Sequence, residues 1–445
     1  MSAPAPARAC AYAVVRDVFE HGARAERALQ RRAAGLDTRD RALAMRLAFG
    51  AVQRRGTLDH VIERLAGRPV ARIDAPLLAA LRIGLYEQLY TSGAPAYAVV
   101  DDAVALAKRN ARAGHGLVNA VLRRAAREGG AALLAALRDD TAEGAALAHS
   151  HPLWIARLLW DELGAEQARA LMAADNEPSE LALRANTLRV EPAALAESLA
   201  ARTSRDATIP EALVVDGPFD VHASPQWVRG ELLPQSRAAM LPARALDPQP
   251  GERVLDLCAA PGGKATHIAA LMGGDGEVVA VEREPRRADA LAATAGRLGA
   301  AGVRVHVADA REALDGERAF DRVLVDPPCT GLGTLQSRPD LRWRGGPQRV
   351  AEMAAVQGQI LAAGARALRP GGLLVYSTCT ISTTENERLI AAFADAHPDF
   401  RIEDLQEVPR VAGPLSEAAA SGPFLQTLPH RDRTAGFFVA RLRRS

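Results

Sequence analysis

Lysine is nearly missing from this chain. Of 55 basic residues only Lys108 and Lys264 are lysine and the others are arginine, so a lysine inside a glycine-rich turn stands apart from the general surface charge. Aromatic residues make up only 4% of the chain, which leaves Leu, Val and Ala to build the cores. No apolar run is long enough to cross a bilayer as a helix, so no membrane partner is expected. The first residues, Met1 to Arg8, lack the apolar stretch of a secretory signal. The four cysteines, Cys10, Cys258, Cys329 and Cys379, are scattered through 445 residues and do not form a disulfide framework; a reducing, cytoplasmic setting suits them. There is no CxxC pair and no His/Cys cluster, so no metal is expected.

What is present is a normal globular balance, 48% hydrophobic and 24% charged, over a length that implies two or three domains. Residues 1–140 carry 22 Lys and Arg against 14 Asp and Glu, a net of +8, and the remainder carries a net of −6. A basic front facing a polyanion explains this, as does a plain Arg-rich helical surface. Residues from about 8 to 130 show apolar positions at three- and four-residue spacing, as in Ala42 to Val52 and Ile73 to Tyr90, and predict an all-α bundle. After Gly129-Gly130 and further helix, Leu181 to Thr187 and Leu213 to Val215 read as strands of a small α+β segment. From Arg253 onward short apolar runs alternate with helical stretches: 254–257, 278–281, 303–307, 322–325 and 373–377, then a final strand, 436–442, expected to run antiparallel. That alternation predicts an α/β, doubly wound parallel sheet. The expected domains are 1–140, 141–235 and 236–445.

In such sheets ligands bind beyond the carboxyl ends of the strands. The first strand runs into Cys258-Ala259-Ala260-Pro261-Gly262-Gly263-Lys264, small residues that let backbone N–H groups approach a ligand. It is neither GxGxxG nor a Walker A loop, which argues against a dinucleotide or a triphosphate. Glu282 ends the second strand, placed for ribose hydroxyls; Asp309 follows the third, able to accept from an adenine amino group; Asp326 follows the fourth. Acids at successive strand ends suit a nucleoside without phosphates, such as S-adenosylmethionine.

Cys329, in Asp326-Pro327-Pro328-Cys329, and Cys379, in Ser377-Thr378-Cys379, both stand at strand exits. The first loop resembles the Asp-Pro-Pro-Tyr loop of base-amino methyltransferases with a thiol in place of the aromatic ring. Carbon-5 of cytosine cannot attack a methyl group unaided. A thiolate added at carbon-6 makes carbon-5 nucleophilic, which is covalent catalysis, and the base must be unpaired or flipped out. Spacing does not decide which cysteine attacks. Cys258 and Cys10 read as packing residues, Cys258 also as part of the cofactor loop.

At these residues the chain resembles the RNA (cytosine-5) methyltransferases of the Sun/Fmu and nucleolar-protein group. The likeness is carried by Asp256 to Lys264, Asp326 to Gly331, Arg338-Pro339-Asp340-Leu341-Arg342-Trp343, and Ser377 to Thr380. It implies a Rossmann-like S-adenosylmethionine-dependent methyltransferase domain, with Cys379 as nucleophile, Cys329 in product release and Asp326 near the target base. It also implies that Cys258, Ala259, Ala260, Pro261, Gly262, Gly263, Lys264, Glu282, Asp309 and Asp326 hold the cofactor. The family usually has Asp where Glu282 stands, Gln-Asp near Gln235-Ser236, and Asp at the position of Ala435. The front resembles the NusB helical fold through 40–44, Arg54-Arg55 and 116–124, a combination similar to the B-type branch of small-subunit ribosomal RNA methyltransferases. The resemblance therefore implies ribosomal RNA as partner, a monomer, and cytosine 967 of 16S rRNA as target. Arg184 and Asn186, in the family's RNA-contacting stretch, and Arg54, Arg55, Arg123 and Arg124 are the expected RNA contacts. Transfer RNA methylation and a non-catalytic assembly factor are the alternatives.

Overall fold

The computed structural model describes residues 4–312 and 320–445; the start of the stretch Met1 to Arg8 lies outside them. The chain forms two compact units, one of Met1–Pro178 with Leu335–Gly346 and one of Ser179–Thr334 with Pro347–Ser445.

The first unit is helical. Helices Pro6–His21, Thr38–Gln53, Arg55–Ala66, Ala75–Tyr90, Ala96–Asn110 and His115–Glu128 enclose a core of Leu, Val and Ala, as the scarcity of aromatics requires. Ala75–Tyr90 is central: Leu77, Leu81, Gly84 and Leu85 are buried along one side and Ala79 and Ile83 along the opposite one. The unit runs past the expected boundary at 140. Thr57 Oγ1 donates to Leu147 O at 2.6 Å and Gly56 N donates to Ser150 Oγ at 2.8 Å, which ties the next helices, Ala142–Ala148 and Leu153–Ala174, to Arg55–Ala66.

The chain also returns to this unit. Leu335–Gly346 carries the Arg338–Trp343 signature, grouped above with the catalytic motifs, and it packs among the helices. Arg342 is fully buried there. Its terminal nitrogens donate to the carbonyls of Gln53, Ser150, Asp175 and Leu335 and to Asn176 Oδ1 at 3.0–3.5 Å, and Trp343 Nε1 donates to Val52 O at 2.6 Å. Burial pushes the Arg342 pKa down to about 10, with the charge retained at neutral pH.

The second unit opens with an antiparallel sheet of β1 (Leu181–Ala185), β2 (Arg202–Arg205), β3 (Ala212–Asp216) and β4 (Leu232–Pro234), in the order β2-β3-β1-β4. β2, Arg-Thr-Ser-Arg, has no apolar alternation and is held by pairing with β3. The larger sheet contains β5 (Arg253–Leu257), β6 (Glu277–Glu282), β7 (Val303–Val307), β8 (Phe320–Val325), β9 (Leu368–Thr378), β10 (Phe400–Glu403), β11 (Ala420–Ser421), β12 (Phe424–Thr427) and β13 (Phe437–Arg444). Strands β7-β6-β5-β8-β9 are parallel in that order, and β13 joins β9 antiparallel, as expected for the last strand. Successive residues of β5, β6 and β8 enter two separate cores, Val254 and Leu324 on one face and Leu255 and Val323 on the other. A sheet buried on both faces favours the unbroken Val/Leu runs seen in the sequence. The order reverses between β5 and β8, and a crevice forms at such a switch point.

Candidate active site

The switch point brings together the loops that follow β5, β8 and β9. β8 ends at Val325 and hands on to Asp326-Pro327-Pro328-Cys329; β9 ends at Thr378, one residue before Cys379. Because the two strands are parallel neighbours, both thiols emerge at the same end, and their sulfurs lie 3.3 Å apart. Both cysteines remain partly exposed. The contact with Cys379, and then burial, push the Cys329 pKa well above that of a free thiol.

Lys264 and Asp326 stand together. Lys264 Nζ lies 2.6 Å from Asp326 Oδ2, Ser377 Oγ donates to Asp326 Oδ1 at 2.9 Å, and the ammonium sits 5.0 Å from the centroid of the Phe437 ring. Burial opposes the Lys264 charge, and Asp326 more than offsets it, so the pKa is raised. The chain's second lysine is thus the one placed among the reactive groups. The loop after β9 is fastened through backbone: Gly333 N donates to Cys379 O at 3.0 Å and Gly436 N to Gly333 O at 2.7 Å. A Cβ on Gly333 would lie 2.1 Å from Gly436 O, so this crossing admits only glycine.

In the loop after β5, Gly262 has φ +103° and the helix Gly263–Leu271 starts with no side-chain cap. The N–H groups of an uncapped first turn are available to an anion or polar ligand. Cys258 has its pKa pushed up to about 12 by burial, which leaves it an inert packing thiol. Asp256, one strand residue before Leu257, is fully buried. Neither of its carboxyl oxygens has a hydrogen-bond partner among the described residues, and burial raises its pKa to about 8.

The other predicted cofactor acids differ in availability. Glu282 is buried; Glu284 N donates to its Oε1 at 2.9 Å and Arg287 stands 3.4 Å from Oε2. Asp309 is already engaged. Arg311 donates to Oδ1 at 3.0 Å from Nε and to Oδ2 at 2.6 Å from NH2, which pulls the Asp309 pKa down to about 2.

The expected RNA contacts divide. Arg184 and Asn186 are buried, contrary to expectation. Arg184 donates to Gln235 Oε1 at 2.8 Å, to Thr266 Oγ1 at 2.9 Å and to Gly263 O; Asn186 Nδ2 donates to Gly230 O and Leu298 O at 2.8 and 2.7 Å. Both brace the scaffold rather than reaching outward, Arg184 beneath the loop after β5 and Asn186 against Gly230 and Leu298. Arg54 and Arg55 are half-buried against aromatic rings, Arg54 over Tyr90 at 4.5 Å and Arg55 over Phe19 at 4.8 Å and Trp343 at 5.1 Å. Arg123 and Arg124 are exposed.

Two departures from the family pattern are absorbed locally. Ser236 Oγ accepts from Ala239 N at 3.3 Å and caps the helix Arg237–Leu246, a task Ser and Asp perform alike. Ala435 contributes its carbonyl, which accepts from Thr427 Oγ1 at 2.7 Å.

Sequence reasoning gave no role to Glu385 and Gln357, which pack against both cysteine loops. Gln357 Nε2 donates to Pro328 O at 3.0 Å and to Glu385 Oε2 at 2.8 Å. The available signal was the acidic Glu385-Asn386-Glu387 run shortly after Cys379, just where a strand exit turns into a helix.

Residues 243–443 match the family described as 16S rRNA methyltransferase RsmB/F, residues 5–127 the NusB family, and residues 151–222 the ferredoxin-like domain of RsmF/B-like methyltransferases. The chain is 35% identical to the probable ribosomal RNA small subunit methyltransferase B of Synechocystis sp., covering 99% of each. It is 34% identical to the protein of the same description in Bacillus subtilis, covering 92% of each. The crystal structure of PH0851 superposes with a TM-score of 0.80 at 27% identity, covering 99% of each chain. No helix among the described residues is long and apolar enough to cross a membrane. With 99% of its length aligned to such a relative, and with two thiols, a lysine and a carboxylate gathered at the switch point of its sheet, the chain belongs to the 16S rRNA methyltransferase RsmB/F family, whose members take their methyl group from S-adenosylmethionine.

Proposed function

We propose that the protein methylates carbon-5 of a cytosine in 16S ribosomal RNA, cytosine 967, through a transient bond between Cys379 and carbon-6 of the base. The observation that carries this reading is the 3.3 Å separation of the two sulfurs beside the Lys264–Asp326 pair. Cys379 supplies the sulfur anion, the role that the family resemblance gives it, with the Cys329 sulfur beside it. Its electron pair forms the bond to carbon-6 and moves the ring's double-bond electrons to carbon-5. Bound at this site, S-adenosylmethionine would supply an electrophilic methyl group to carbon-5, its sulfonium–methyl bond breaking to leave S-adenosylhomocysteine. Removal of the carbon-5 proton restores the double bond and returns the bonding pair to the Cys379 sulfur. Cys329, adjacent to that sulfur, is assigned to this release step, and Asp326, held by Lys264 and Ser377, to orienting the base.

The loop after β5 suits this cofactor. The uncapped helix start at Gly263 offers N–H groups, the Asp256 carboxyl, without a partner among the described residues, offers acceptors, and Glu282 at the end of β6 is the candidate for the ribose hydroxyls. Asp309, held by Arg311, is the candidate acceptor for the adenine amino group. Arg123 and Arg124 are the exposed candidates for phosphate contacts.

The test is methyl transfer from labelled S-adenosylmethionine to 16S rRNA and to transfer RNA, with the product base mapped by sequencing. The expected result is 5-methylcytosine at position 967 of 16S rRNA and none in transfer RNA. Transfer to transfer RNA alone overturns the substrate, and full activity in Cys379→Ala overturns the mechanism.

A further inference from the structure

Glu385 is fully buried and lies between the two cysteine loops. Its Oε2 accepts from Thr330 N at 2.9 Å and from Gln357 Nε2 at 2.8 Å, and its Oε1 accepts from Thr330 Oγ1. Thr330 follows Cys329, and the same Gln357 nitrogen also donates to Pro328 O, so the carboxylate grips the chain on both sides of that cysteine. On the other loop, Thr380 follows Cys379, and its hydroxyl lies 2.8 Å from Thr330 Oγ1. With the Thr330 proton directed to Glu385, the Thr380 hydroxyl is the donor of that contact. Tyr376, three residues before Cys379, closes the ring by donating to Glu385 O at 2.7 Å.

Burying a carboxylate is unfavourable unless its lone pairs are met. Here the acceptor-only character of the group is used: three donors from two segments converge on it. A glutamine of the same shape would aim its own N–H bonds at the hydroxyl of Thr330 or at Gln357 Nε2. Burial raises the Glu385 pKa, and the Thr330 and Gln357 bonds oppose that rise.

We propose that Glu385 is a positioning residue for the thiol pair, its carboxylate fixing the separation of the Cys329 and Cys379 sulfurs and thereby which of them is the anion. The inference rests on Cys379 being the nucleophile. Glu385→Gln is the first variant, read in two ways: single-turnover methylation alongside binding of RNA and S-adenosylmethionine, and the partition of iodoacetamide between Cys379 and Cys329 in the free protein, measured on peptides by mass spectrometry. The wild type is expected to be alkylated mainly at Cys379. In Glu385→Gln methylation is expected to fall about 100-fold with binding unchanged, the loss typical of a misplaced reacting group, and alkylation is expected to spread to Cys329. Thr330→Val, which removes one link and keeps the Thr330 N–H, is expected to shift the partition in the same direction by less, and it serves if Glu385→Gln does not fold. An unchanged partition in either folded variant overturns the proposal. Cys379→Ala in the same methylation assay separates the two failures: its inactivity keeps the nucleophile assignment whatever Glu385 does, and its activity removes that assignment.

Discussion

Arg342 in the helical unit and Asp256 in the α/β unit are both fully buried, and both belong to signature segments of the sequence, yet they are treated in opposite ways. Arg342 directs its two terminal nitrogens at five acceptors, four of them backbone carbonyls. Asp256 directs its two oxygens at none among the described residues. A buried ionisable group whose partners are all supplied by the surrounding fold is scaffolding. One left without partners, next to the Lys264–Asp326 pair and a helix start without a cap, marks a place kept for something that arrives. Arg184 falls on the Arg342 side of this division, although its segment resembles an RNA-contacting one.

The contrast can be broken at either end. The largest effect is expected from Arg342→Met, which leaves several buried carbonyls without a donor. The helical unit should lose about 3–5 kcal/mol in urea unfolding. A loss below about 1 kcal/mol would show that Arg342 is not scaffolding.

Asp256→Asn probes the other end through pH. The Asp256 pKa is about 8 in the folded protein against 3.8 for the free side chain, so the native state holds a proton that the unfolded chain has released. Its contribution to stability is complete below 3.8, declines as pH rises, and is lost once pH passes 8. The asparagine variant should therefore gain on the wild type between pH 4 and pH 8 by on the order of a few kcal/mol, read as Tm against pH, while binding S-adenosylmethionine less well. Parallel pH profiles would show that Asp256 is ionised and partnered.

Gly333→Ala forces a Cβ against Gly436 O beside the Cys379 carbonyl. It should cost about 1–3 kcal/mol of stability, with a larger proportional loss of methylation. The smallest change is expected for exposed Arg123→Ala: stability within about 0.5 kcal/mol, and a salt dependence of RNA binding reduced by about one unit of slope.

The inner strands of the parallel sheet, β5, β6, β8 and β9, were legible because burial on both faces demands continuous apolar runs; the edge strand β7, largely exposed, was legible from its alternating Val303-Arg304-Val305-His306-Val307. The two thiols were legible as strand-exit residues, since parallel neighbours bring their carboxyl ends together. β2 and β4 were not, because pairing with a neighbour rather than side-chain pattern creates them. The return of Leu335–Gly346 to the helical unit was not legible either: a motif on the sequence does not say with which core its arginine will be buried. Glu385 escaped for a related reason. Its three donors come from residues 330 and 357, and only the folded sheet brings them to it.

The central claim is that the Cys379 sulfur bonds to the base. The direct measurement is intact mass, under denaturing conditions, of Cys329→Ala after incubation with a 16S rRNA fragment and S-adenosylmethionine. A protein–RNA adduct that survives denaturation, maps to the peptide carrying Cys379 and vanishes in the Cys329→Ala/Cys379→Ala double variant is the result predicted. Methylated RNA released freely by Cys379→Ala, with no adduct in Cys329→Ala, would contradict it.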